Sequence, residues 1–163
     1  MLLKRRNKQK GATMVEFALI LPLFLLFIFA IVDFGMYFFT QHTLQYATRE
    51  GMRLALVGGR IEREDQLLDR MQSIRRTIKE QASLAVNPDN LLISVYEVGP
   101  DFSDPDGWEE LQNPGQPGSY MRVRTRYNFN FLTPVIGHFF SNNSIVIEAQ
   151  ATYRNEFFDL DST

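Results

Sequence analysis

Apolar and polar residues are unevenly distributed along this chain, and the densest apolar run lies near its N-terminus. No charged residue lies between Phe17 and Val32, and the carboxylates of Glu16 and Asp33 bracket this run. On a helix these two residues are roughly 26 Å apart, close to the thickness of about 30 Å of a bilayer's hydrocarbon core. The pattern predicts one membrane-spanning helix. Burial in a soluble core is the alternative, but it does not explain why residues 1–11, before the run, contain five basic residues and no acidic residue.

The helical pattern continues beyond the apolar run, because no helix-breaking residue follows until Gly58 and Gly59. We therefore expect one helix over residues 12–57, with its first part in the membrane and its second part beyond it. Three small residues recur at four-residue spacing on the second part and form a smooth strip where another backbone can approach closely: Ala47, Gly51 and Ala55. This strip could contact another subunit or pack against the protein's own sheet, and the sequence leaves both uses open.

A second, amphipathic helix is expected over about residues 63–85. Its apolar stripe recurs at intervals of three and four residues and consists of Leu67, Met71, Ile74, Ile78 and Ala82. The charged residues between them, Arg70 included, are expected on a solvated face.

Three segments with β-branched or alternating residues predict strands over residues 91–98, 120–131 and 145–154. An antiparallel sheet with one face in water follows from the alternation, and the two helices cover its apolar face. The middle strand places Arg122, Arg124 and Arg126 on the wet face. The sequence thus predicts an α+β fold, with residues 58–163 forming a single domain outside the membrane.

Two connections differ in character. Residues 99–119 are rich in Pro, Gly and Asp and contain the only tryptophan, Trp108, so we expect a mobile surface loop. The apolar turn at residues 133–137 could pack on the sheet edge, touch the membrane or contact a neighbour, and these alternatives remain open.

Few residues in the sequence are candidates for binding a metal ion or for catalysis. Asp101, Asp104 and Asp106 form a candidate calcium site, but the loop lacks the ligand order of an EF-hand, and a solvated acidic loop is the favoured interpretation. His42 and His138 are far apart in sequence, and no nucleophile motif or phosphate-binding glycine loop is present. We therefore expect neither an enzyme nor a bound cofactor.

Charge and composition exclude some kinds of site and argue against one class of partner. The chain has no cysteine, which excludes disulfides and thiolate metal sites. Loss of residues 1–11 would remove five of the 17 Lys and Arg residues and leave 12 against 19 acidic residues, a balance that argues against nucleic acid as a partner.

The basic residues before the span predict its orientation. They resist translocation and should stay in the cytoplasm, with the domain outside: Lys4, Arg5, Arg6, Lys8 and Lys10. A secretory signal peptide is not expected, because no small-x-small cleavage site follows the run.

The segment Lys10-Gly11-Ala12-Thr13-Met14-Val15-Glu16 resembles the type III signal of type IV pilin-like proteins. Such a signal has a basic leader, a glycine and an apolar helix with glutamate as the fifth residue after the glycine. Within that superfamily the chain most resembles the TadE-like pseudopilins of bacterial tight-adherence (Tad/Flp) pili. The matching stretches are GATMVEFALILPLFLLFIFAIVDFG from residue 11, ATREGMR at 47–53, NFNFLTPVIG at 128–137 and the closing ATYRNE.

The resemblance implies a pilin-like helical spine and cleavage between Gly11 and Ala12 by a prepilin peptidase. It also implies that Glu16 pairs with the free amine of a neighbouring subunit's first residue; without it, Glu16 would only mark the end of the span. The implied setting is the inner membrane, and the implied partners are other pilins or pseudopilins and the assembly platform. The implied role is pilus assembly, and hence surface attachment and biofilm formation. A permanently anchored extracytoplasmic module that binds a ligand or protein is the alternative function.

Overall fold

A computed structural model describes the backbone of residues 6–56, 62–63 and 66–157, and the side chains of residues 11–56 and 68–157. The long apolar helix, further helices and a three-stranded antiparallel sheet confirm the predicted α+β fold. In chain order the elements are α1 (Arg6–Leu56), β1 (Glu62–Arg63), β2 (Gln66–Leu67), α2 (Arg70–Ala82), β3 (Leu92–Val98), β4 (Tyr120–Asn130), α3 (Pro134–Gly137) and β5 (Ser144–Arg154).

Helix α1 begins at Arg6, before the expected start at residue 12. Residues 6–10 are Arg, Asn, Lys, Gln and Lys, most of them good helix formers, so nothing in this stretch breaks the helix. The helix continues through Pro22 and ends at Leu56. The expected stop at Gly58 and Gly59 and the leader charges Lys4 and Arg5 lie outside the described residues.

The prediction that the second helix starts near residue 63 was wrong, because α2 begins at Arg70. The preceding residues form the antiparallel pair β1 and β2, in which Glu62 lies opposite Leu67. Leu67 is therefore a strand residue, although its spacing from Met71 fits a helix; short apolar spacings do not distinguish the two. Ile74, Ile78 and Ala82 are buried as expected from the stripe.

The three-stranded sheet has the order β3-β4-β5, with β4 in the centre. Strands β3 and β4 are antiparallel, and Val95 lies opposite Val123. All three strands match their predicted positions to within one residue at each end.

The described residues group into two compact units: those up to residue 37 together with 130–145, and residues 38–129 together with those from 146 onward. The second unit contains a hydrophobic core from α1, α2 and the sheet. Its fully enclosed side chains include Leu44, Met52, Ile74, Ile78, Val123 and Ile147.

A buried hydrogen bond lies within this core. The hydroxyls of Thr48 on α1 and Thr125 on β4 are 2.8 Å apart, and Thr48 also donates to the carbonyl oxygen of Leu44. Because the two hydroxyls satisfy each other, this polar pair avoids the cost of an unpaired buried group.

Candidate membrane and assembly site

The apolar part of α1 is exposed within the chain. Its most apolar window has no buried residue, and α1 is the one helix of the described residues that is long and apolar enough to cross a membrane. Large side chains such as Phe17, Leu19, Phe24 and Ile31 are each more than half exposed. So much exposed apolar surface is unfavourable in water and favourable in hydrocarbon. These observations indicate that α1 anchors the protein in a membrane with a single span.

The residues of the predicted processing signal lie near the start of this helix. Gly11, Ala12 and Glu16 are all exposed, and a Cβ added to Gly11 would meet no atom within 4 Å. Ala12 and Glu16 lie four positions apart, so they share one face of α1. These positions are accessible and are not used to pack the described part of the chain.

At the other end of the apolar run, the carboxylate of Asp33 is fully buried. It accepts hydrogen bonds from the backbone N–H of Leu132 at 2.7 Å and from both the N–H and the hydroxyl of Thr133. These donors compensate for the desolvation of the carboxylate, which would otherwise be costly. Asp33 therefore joins α1 to a segment about a hundred residues later in the chain.

The segment held by Asp33, residues 131–143, is named here the junction loop. It contains the apolar turn at residues 133–137, whose position the sequence left open. The rings of Phe131 and Phe140 stack with centroids 4.3 Å apart, and Ile136 is buried. Thr133 directly precedes the short helix α3, so Asp33 holds the two residues that lead into that helix. The turn is thus tied to α1 at the end of the apolar run.

Residues 99–119 were expected to form a mobile surface loop, and most of them are exposed, but the segment also packs on the sheet. Val95 donates its N–H to Leu111 at 3.0 Å and accepts from Asn113 at 2.8 Å, which makes a parallel bridge at the edge of β3. The Ser94 hydroxyl donates to the Glu109 carbonyl at 2.6 Å.

The predicted wet face of β4 is also covered by this segment. The guanidinium groups of Arg124 and Arg126 lie 4.1 and 4.6 Å from the ring centroid of Trp108, which is a cation–π arrangement. Arg122 is only 9% exposed, so its assignment to a solvated face was wrong. Its guanidinium donates to Asp104, to the carbonyl of Phe102 and, through Nε, to the Thr152 hydroxyl.

Asp104 is the central anion of this cluster. It accepts hydrogen bonds from Arg122, from Arg124 at 2.9 Å and from the Tyr96 hydroxyl at 2.7 Å. Burial acts to raise the pKa of Asp104, but the hydrogen bonds from Tyr96 and Arg122 and the charge of Arg124 outweigh it and lower that pKa. Burial and the bond to Asp104 raise the pKa of Tyr96 to about 12.

The three candidate calcium ligands are used differently. Asp104 is engaged by two arginines, Asp101 accepts from the Ser103 hydroxyl at 2.6 Å, and Asp106 is exposed. Among the side chains that the structure describes, no group of three or more Asp, Glu, His or Cys residues could hold a metal ion. The carboxylate oxygens of Asp104, which a bound cation would need as ligands, thus accept hydrogen bonds from arginines. His42 and His138 are both exposed.

Arg70 was expected on a solvated face, but this was wrong, because it is only 6% exposed. Its guanidinium donates to the carbonyls of Gly115 and Ala55 at 3.0 and 2.7 Å and to the Asn155 side chain at 3.1 Å. Burial lowers the pKa of Arg70, with the charge of Asp69 acting in the opposite direction. Ala55 lies in the last turn of α1, where carbonyls lack helical partners and a cation is favourable.

The small-residue strip is buried inside the subunit. Ala47 and Ala55 are completely buried, and a Cβ on Gly51 would collide with the side chain of Ile78 on α2. The strip therefore packs against the protein's own helix in this structure.

These features define a class: a protein with one helix suited to anchoring it in a membrane, joined to an α+β fold. Residues 11–53 match the sequence profile of a family described as TadE-like protein, which confirms the predicted resemblance over that stretch. The match includes Gly11, Glu16 and Gly51 and ends before the sheet. It is consistent with a protein related to the Tad pilus. No curated protein and no solved structure gives a significant match.

Proposed function

We propose that this protein is a TadE-like minor pseudopilin that acts in the assembly of a tight-adherence type IV pilus, and so in surface attachment. The observation that carries the proposal is the family match at residues 11–53. It covers the apolar run of α1 and two residues that define a pilin-like signal, Gly11 and Glu16.

Processing by a prepilin peptidase between Gly11 and Ala12 is part of this proposal. The exposure of both residues and the free space around Gly11 support it, because a peptidase needs access to the bond it cleaves. The basic residues of the leader support an orientation with the N-terminus in the cytoplasm and the α+β domain outside, because positive flanks resist translocation. Other pilins or pseudopilins and the inner-membrane assembly platform are the proposed partners.

Glu16 is the proposed contact to those partners. Its carboxylate is exposed on an otherwise apolar helix surface near the edge of the span. A carboxylate in such a setting is stabilised by an opposite charge, and the low dielectric strengthens the pair. The amine that cleavage would create at Ala12 of a neighbouring subunit has the required charge.

The experiment compares the variants Gly11→Val and Gly35→Val by N-terminal sequencing of the protein from cells with an active prepilin peptidase. Both glycines lie within α1, and neither has an atom within 4 Å of an added Cβ, so the two changes are matched structurally. Wild type and Gly35→Val should begin at Ala12, whereas Gly11→Val should retain Met1. An intact Met1 terminus in the wild type would instead support the permanently anchored binding module.

A further inference from the structure

The junction loop presents apolar side chains to its surroundings. Leu132, Val135 and Phe139 are 61%, 41% and 74% exposed. Residues 130–145 contain no Asp, Glu, Lys or Arg. An uncharged surface segment with three exposed large apolar side chains is suited to an apolar environment.

The fold of the loop keeps these side chains outward. Phe131 and Phe140 stack on each other, and Ile136 fills the interior. The N–H of Gly137 donates to Thr133 at 3.0 Å, and that of Phe140 donates to Gly137 at 2.9 Å. The interior positions are thus occupied by other residues, and the loop cannot bury the three side chains without losing these contacts.

Asp33 fixes the level of the loop along α1. Its carboxylate holds the N–H groups of Leu132 and Thr133 at the point where the uncharged run ends. Ile31 and Phe34, on either side of Asp33 in sequence, are 68% and 42% exposed. Leu132 therefore lies at the same level as helix side chains that face lipid in a membrane-spanning α1.

We propose that Leu132, Val135 and Phe139 insert into the lipid at the C-terminal end of the span, so that the protein contacts the bilayer with the junction loop as well as with α1. The proposal rests on the membrane anchor and is independent of any role in pili. The loop continues the apolar surface of α1, and its insertion requires no desolvation of a charged side chain.

A protein partner is the less suitable occupant. Three side chains provide a small patch compared with the area of about 800 Å² that each partner buries in a stable protein–protein interface. The hydrogen bonds of Asp33 to the loop backbone also favour lipid, because they satisfy the carboxylate within the protein and leave it no need of an external donor.

The test uses thiol labelling, because the natural chain has no cysteine. The full-length variants Phe139→Cys and Leu84→Cys are placed singly in nanodiscs that contain one copy of the protein, and their reaction with a membrane-impermeant maleimide is followed. Phe139 and Leu84 are both 74% exposed within the chain, which makes Leu84 a matched control. Val135→Cys is the second loop variant.

In lipid, the two loop variants should react roughly tenfold more slowly than Leu84→Cys, because the side chains left in the loop hold it in the membrane. A fluorophore attached at either loop position should be quenched by lipids that carry a nitroxide near the head group. Equal rates for all three variants would overturn the proposal. Protection that occurs only when other pilins are present would also overturn it and would assign the loop to a protein partner.

Discussion

Gly51 of α1 packs directly against Ile78 of α2. A Cβ added to Gly51 would lie 2.8 Å from Cδ1 of Ile78 and still closer to its Cγ1, separations that real side chains do not adopt. This contact explains why a small residue occurs at this position on an otherwise regular helix. It also shows that the strip of Ala47, Gly51 and Ala55 serves the interior of the subunit.

The Gly51→Ala variant should therefore lower the free energy of unfolding by about 1 kcal/mol, measured on the full chain in detergent. Overpacking typically costs about 1–3 kcal/mol, and the better helix propensity of alanine returns up to about 1 kcal/mol. In an Ile78→Ala background the same change should be neutral or stabilising, because the collision is gone. A loss of equal size in both backgrounds would show that Ile78 is not the cause.

The cluster of Asp104 with Arg122 and Arg124 should make the free energy of unfolding depend on pH in the acid range. Because the pKa of Asp104 is lower in the folded chain than its ordinary value of 3.8, the carboxylate contributes stability above that value. The contribution is lost as the pH falls through the folded pKa. Asp104→Asn should cost about 1–2 kcal/mol at pH 6, since the side chain is partly exposed, and the difference from wild type should narrow progressively as the pH falls below about 4.

The control for this prediction is Asp106→Asn. Asp106 is exposed in the same loop and should change the unfolding free energy by less than about 0.5 kcal/mol at any pH. Denaturant unfolding at a series of pH values measures both variants. A difference between wild type and Asp104→Asn that stays constant from pH 6 to pH 3 would contradict the assigned role of the carboxylate.

The sequence predicted correctly the elements in which apolar residues recur at regular intervals because one face is buried. The alternation in β4 predicted its position, because Met121, Val123 and Phe129 are buried on the side that the helices cover. The apolar run of α1 was equally clear, and none of the described residues buries its most apolar window.

The errors at Arg122 and Arg70 came from contacts between residues that are distant in sequence. Arg122 alternates like a solvated residue, but the segment that covers it comes from about twenty positions earlier in the chain. Arg70 has the same local pattern as Arg75, which is exposed, and only the tertiary fold brings Ala55, Gly115 and Asn155 to it. Asp33 likewise fits the simple end of a span, and no local signal shows that it binds Thr133.

Arg70 offers a sharp test of such a distant contact. Replacement by methionine keeps most of the side-chain volume but leaves the carbonyls of Ala55 and Gly115 without their donor, at a cost of about 2–4 kcal/mol in unfolding free energy. Arg75→Met, on the exposed face of the same helix, should change it by less than about 0.5 kcal/mol. Similar losses for both variants would mean that general helix effects, and not the buried contacts, set the stability.

Glu16 is the residue on which the proposed assembly role depends most. A charge at the centre of a membrane helix costs on the order of 3 kcal/mol, and Glu16 lies near an interface, where the cost is smaller. Glu16→Leu should therefore insert at least as well as wild type and still be cleaved after Gly11. It should nevertheless fail to associate with partner pilins, because the neighbour's amine loses its carboxylate. Co-purification of pilins and electron microscopy of pili measure this.

The variants Glu16→Asp and Glu16→Gln separate charge from shape. Aspartate keeps the negative charge and should retain part of the association, whereas glutamine keeps the length of the side chain and should lose it, because a neutral amide attracts an amine only weakly even at low dielectric. N-terminal sequencing of each variant confirms that processing is unchanged, so that a loss of pili reports on assembly alone. Normal pili with Glu16→Leu would mean that Glu16 only marks the edge of the span, and the proposed pairing would have to be abandoned.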